Sequence, residues 1–237
     1  MTDLSIKALS YQGRKAARHR SENRRVEILS AALHIIIKDG VRGVRHRAVA
    51  KQANVPLSAT TYYFKDINDL IVDAFTYFAE RSIQELTNHN GVETKSLIDA
   101  YKIKISMLKE GESHIPLLEE LVDGACWIMV EYMKDKLNNY RYHLMAKQAF
   151  MYESVNNERL YEVGAMYYRC LIDLMERMCV AMNMDKPRMC AELILGGIWN
   201  LEQRYLRIPA DQFDEQEALT LMKHLIMPFA LKIKKDA

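Results

Sequence analysis

Apolar side chains recur along this chain every three to four positions, and nowhere do they alternate over the length of a strand. Val26, Leu29, Leu33 and Ile36 fall on one face at helical spacing, widened by Ile28, Ala32 and Ile35. Ser21, followed by Glu22, is suited to cap this helix, and Gly40 and Gly43 bracket its end. A short helix over 46–53 comes next, with Val49, Ala50 and Ala53 as its apolar face. Asn54 stands where the chain needs a positive φ, which asparagine tolerates better than any residue but glycine. Val55 plugs the core under that turn, and Pro56 suits the first turn of another short helix over 57–63. Asp66 and Asp69 are placed to cap a long fourth helix ending near Asn88. Two short helices joined in this way form a helix-turn-helix.

After Gly91 the pattern is helical throughout, with segments expected at 93–109, 116–134, 136–154, 158–182, 186–207 and 214–232. Breaks are signalled at Gly111, Asn138-Asn139, Asn156-Asn157, 183–187 and Pro209. The fold class is therefore all-α. An arm over 1–20 precedes a helix-turn-helix domain over 21–70 and a larger helical domain over 71–237.

Composition narrows the function. Glycine (9) and proline (5) are scarce in 237 residues, which argues against a turn-rich β protein. No apolar stretch approaches the roughly 20 residues that span a membrane, and the first residues do not read as a secretory leader. Cys126, Cys170, Cys179 and Cys190 lack the spacing of a zinc or redox motif and read as buried, reduced thiols of a cytoplasmic protein. The seven histidines form no pattern with cysteine, serine or carboxylate, and no glycine-rich phosphate loop is present. Neither an enzyme nor a cofactor or metal is expected.

Charge divides the chain. Residues 1–65 hold 13 of the 33 Lys and Arg but 4 of the 31 Asp and Glu, a net +9 in a chain whose total is +2. A basic quarter on an acidic body suggests a localised polyanion-binding module; a merely solvated basic surface is the alternative.

Residues 24–75 resemble the DNA-binding domain of the TetR family of bacterial transcription regulators. The resemblance is carried by 25–32 (RVEILSAA), by 49–55 (VAKQANV), and by Tyr62-Tyr63-Phe64-Lys65 with Leu70. The chain departs from the family pattern in three places. Arg45 replaces a capping Thr or Ser, Asn54 a Gly, and Ala59-Thr60-Thr61 the usual Thr-Leu-Tyr.

The resemblance implies that the helix over 57–63 enters the major groove of double-stranded DNA. Leu57, Ser58, Ala59 and Tyr62 would then face bases or sugars, and Thr61, Tyr63 and Lys65 phosphates, with core packing the alternative for Tyr63. Phe64 is assigned to packing. Arg47 matches a base-contacting position, where an arginine can grip guanine for about 1–3 kcal/mol of discrimination; a phosphate contact is the alternative. Arg45 and His46, at the positive end of the same helix, would meet the backbone. Arg14, Lys15, Arg18 and Arg20 either enter a minor groove or remain a solvated tail.

In the family the last long helices pair across a two-fold axis. The resemblance thus implies a homodimer through 158–182 and 186–207, with Gly164, Ala165, Ala191, Gly196 and Gly197 allowing close approach. Packing within the chain is the other use of such residues. The family also encloses an apolar effector pocket. Its candidates here are Tyr101, Met107, Trp127, Met129, Met133, Phe150, Met166 and Tyr167, with Tyr132, Met145 and Met151 nearby in type, although plain core packing also explains them. Glu119, Glu120, Asp123 and Glu131 read as a solvated face; one of them buried beside Trp127 would favour a cationic effector.

The expected protein is a cytoplasmic, homodimeric, sequence-specific DNA-binding regulator. As a repressor it would leave a palindromic operator on binding a small apolar or amphipathic effector. Alternatives are an activator or chromosome-organising protein of the same family, an all-helical enzyme, and a helical ligand-binding protein whose DNA binding is vestigial.

Overall fold

A computed structural model describes residues 19–88, 90–107, 113–182 and 184–230. Among the described residues there are ten α-helices and two short 3-10 turns, with no strand. The helices are α1 His19–Asp39, α2 His46–Gln52, α3 Leu57–Tyr63, α4 Ile67–Asn88, α5 Asn90–Ser106, α6 Ile115–Asn139, α7 Arg141–Asn156, α8 Glu158–Ala181, α9 Pro187–Tyr205 and α10 Glu215–Ala230. The all-α expectation holds. The arm over 1–20 lies outside the described residues except for His19 and Arg20, which already belong to α1. Gly111 is likewise outside them. α6 runs unbroken through residue 135, so the two segments expected there meet instead at Tyr140, just after Asn138-Asn139.

The chain forms two compact units. One takes the described residues up to Ile83 together with Met145–Tyr168. Its core is the α1 stripe, with Ile28, Leu29, Ala32 and Ile36 buried, against Val49 and Ala50 of α2 and Leu70, Ala74 and Phe75 of α4. Burying each Leu or Ile contributes roughly 1.5–3 kcal/mol before the entropy of ordering is subtracted. Phe75 stacks on Phe150 at 5.0 Å, and Tyr167 lies 5.5 Å from Phe150. α1 ends at Gly40, whose positive φ of 74 glycine adopts without strain.

The second unit takes Gln84–Leu144 and the described residues from Arg169 onward. Here α6 packs between α5 and α10, and α9 packs on α10. Leu118, Val122, Val130, Ile194 and Ile226 are among its core residues. Lys136 is buried in this unit; its ammonium pairs with Glu85 and lies 4.6 Å from the Tyr140 ring centroid and 5.3 Å from that of Tyr132. A buried cation needs such partners, because stripping its water is costly. Arg141 Nη2 donates to the carbonyls of Leu206 and Ile208 at 2.5 and 2.9 Å, satisfying the end of α9. All four cysteines are buried, and burial pushes the Cys126 and Cys179 thiols up to about 12.

Candidate nucleic-acid interface

The turn between α2 and α3 is built by backbone hydrogen bonds around Asn54. Its φ is 52, as its side chain predicts. The Asn54 N–H donates to Lys51 O at 3.2 Å and the Val55 N–H to Ala50 O at 3.0 Å. This is the Schellman pattern, completed by asparagine where glycine is commoner. Pro56 does not enter the first turn of α3. Its ψ of 145 keeps it extended at the N-cap, and its carbonyl accepts from the Ala59 N–H at 2.9 Å.

α3 is anchored by its inner side. Thr60 is fully buried, and its hydroxyl donates to Leu57 O at 2.8 Å, so the polar residue at this core position is satisfied. Phe64, at the C-cap, is 2% exposed. The outer side is left bare: Tyr62 is 74% exposed, Leu57, Ser58, Thr61 and Lys65 are exposed, and Ala59 is half-buried. Tyr63 lies between surface and core. It is half-buried, its ring meets that of Tyr62 edge-on at 5.2 Å, and its hydroxyl shares a 2.7 Å hydrogen bond with Ser21. Ser21 is therefore not the cap of α1, which opens two residues earlier.

Arg45 occupies the N-cap of α2 with no side-chain cap, and the Val49 N–H donates to its carbonyl at 2.9 Å. Arg45 and Arg47 are exposed. His46 is half-buried, and its Nδ1 has no hydrogen-bond partner among the described residues. Lys51 is also exposed, and its spacing of four from Arg47 puts both cations on one face of α2. Asp66 caps α4 by accepting from the Asn68 N–H at 2.9 Å, and that bond, helped by Arg159, holds its carboxyl below the usual range. Asp69 instead reaches Arg159 at 3.2 Å. These acids beside α3 thus carry a compensating cation.

The effector candidates fall into two sets. Tyr101 and Met133 are buried in the core of the second unit, with Met129 packed on it. Phe150 and Tyr167 are buried together in the first, where Met166 is half-buried. Trp127 and Met107 lie at the surface. Glu119, Glu120 and Asp123 are exposed and Glu131 is half-exposed.

Of the small residues, Gly164 is packed within the chain, since a Cβ there would lie 2.3 Å from Ser154 Cβ. Gly197 lies against Leu225 in the same way, and Ala191 is buried. Ala165 is half-buried, and Gly196 opens to free space.

The chain is similar to several solved structures. A member of the TetR family from Streptomyces coelicolor A3 is 20% identical, covers 86% of this chain and 98% of its own, and superposes with a TM-score of 0.56. This chain has the TetR-family fold. The multidrug binding protein EbrR in complex with ethidium is also 20% identical over 86% of this chain and 98% of its own, with a TM-score of 0.57. A transcriptional regulator from Rhodococcus sp. Rha1 is 14% identical over 87% of this chain and 96% of its own, also at 0.57. No family model and no curated protein matches the chain. No helix among the described residues is long and apolar enough to cross a membrane.

Proposed function

We propose that this TetR-fold chain is a cytoplasmic transcription regulator that binds a palindromic operator as a homodimer and leaves it when a small effector binds the body. It does no chemistry on its ligands. The observation that carries the reading is α3: a seven-residue helix anchored from inside by Thr60 and Phe64 and bare on its outer side. Leu57, Ser58, Ala59 and Tyr62 are assigned to bases or sugars. Thr61, Tyr63, Lys65, Arg45 and His46 are assigned to the phosphates, and Arg47 to a guanine.

The dimer is assigned to α8 and α9. On α9 the exposed Met189, Leu193 and Gly196 follow one another at intervals of four and three, a single apolar face with room for a second helix. The effector acts only if it favours a body conformation whose two heads no longer fit successive major grooves. Tight binding to both conformations would shift nothing.

DNase I footprinting of the DNA flanking the gene tests the proposal. The expected result is a symmetric pair of protected half-sites about one helical turn, or a whole number of turns, apart. Absence of protection at moderate ionic strength would overturn it.

A further inference from the structure

Tyr101 stands on α5 one helical turn beyond Leu97. Leu97 lies against Gly124 of α6, where a Cβ would come within 2.8 Å of its Cδ1, and Lys104 of α5 pairs with Glu120 of α6. The two helices therefore run antiparallel and close, with Tyr101 between these two crossing points. Its side chain is 8% exposed and belongs to the apolar cluster that includes Ile98, Leu118, Leu121 and Val122. The phenolic oxygen is buried and has no hydrogen-bond partner among the described residues. A buried hydroxyl left unpaired opposes folding, and phenylalanine would fill the same space without that cost. Burial also raises the phenol's pKa, which keeps it a neutral donor.

We infer that Tyr101 is the polar anchor of the effector site, and that the effector is an uncharged, largely apolar molecule presenting a carbonyl-type hydrogen-bond acceptor. The inference rests on the proposal that the body binds an effector, and it names the chemistry of that site. The distribution of charge selects an uncharged molecule. On α6, Glu120 pairs with Lys104, Asp123 with Lys223 at 2.7 Å and Glu131 with Lys134 at 3.1 Å, all toward solvent. Trp127 lies exposed on the same helix. Lys136 and Glu202 are the charged side chains buried in this unit among the described residues. Lys136 holds Glu85, and Glu202 is itself engaged. A cation entering beside Tyr101 would lose its water, and among the described residues no spare buried carboxylate stands ready to replace it. A carbonyl would receive the hydrogen bond that Tyr101 lacks.

The test uses prodan, an uncharged naphthalene ketone whose emission responds to hydrogen bonding, and ethidium as the cationic comparison. Both are titrated into the full chain and into Tyr101→Phe, and thermal unfolding of each protein is followed without dye. The expected result is prodan binding at least ten times weaker to Tyr101→Phe, ethidium binding weaker than prodan in both proteins, and a variant melting at or above the parent. Equal prodan binding to the two proteins, prodan binding to neither, or tighter binding of ethidium overturns the inference. So does a variant that melts several degrees lower, because the hydroxyl would then be paired within the folded protein. DNA binding measured on the same samples keeps the two readings apart: a chain that binds its operator but not prodan loses this inference alone.

Discussion

Two groups of aromatic side chains in the same unit behave in opposite ways. Phe75, Phe78, Phe150 and Tyr167 close on one another in the interior, and their burial explains why they are there. Tyr62 gains almost nothing from folding: it stands 74% exposed on α3, touching Tyr63 edge-on. Lysines divide similarly. Lys136 is 2% exposed between tyrosines and paired with Glu85, whereas Lys65 points to solvent beside the end of α3. Residue type does not separate the members of either comparison. What separates them is whether the fold itself uses the side chain, and Tyr62 and Lys65, on and beside α3, are among those it leaves unused.

The comparison breaks most visibly inside. Phe150→Ala should destabilise the protein by about 3–5 kcal/mol through lost burial and the cavity left behind, measured by urea unfolding. Among the charges, Glu85→Gln strands the buried Lys136 ammonium and should cost about 3 kcal/mol. Lys136→Met removes the ammonium and keeps the volume, so it should be near neutral; equal losses in the two variants would contradict the description of this pair. At the turn, Asn54→Ala forces a Cβ-bearing residue without a polar side chain into left-handed backbone and should cost about 1–2 kcal/mol. Asn54→Gly should unfold at or slightly above the parent's midpoint. The smallest change is expected at Lys65→Ala. It should leave stability within about 0.5 kcal/mol, weaken binding to all DNA sequences alike, and flatten the log–log salt dependence by about 0.9.

The helix-turn-helix was legible because its determinants are local. Asn54 sets the turn, the Val49-Ala50 pair sets the inner face of α2, and Phe64 closes α3. Features that depend on distant partners were not legible. Ser21 has the chemistry of a helix cap, but its hydroxyl is taken by Tyr63, 42 residues away. Asp69 looked like a second cap for α4 and is held instead by Arg159, 90 residues on. Within the body, sequence placed Tyr101, Met133, Trp127 and Met107 in one class. The fold buries the first two and exposes the others, a distinction that follows from which face each helix turns to its neighbours. Among the small residues, Gly164 and Gly197 are taken up by Ser154 and Leu225, and Gly196 stays open, although all three look alike in sequence.

Tyr62→Ala, assayed at once for operator affinity and for unfolding, probes the outer face of α3 most directly. At fixed salt the operator dissociation constant should rise at least tenfold, equivalent to about 1.4 kcal/mol, while the urea midpoint stays unchanged. Unaltered affinity, or a loss of affinity that merely tracks a loss of stability, would contradict the assignment of that face to DNA.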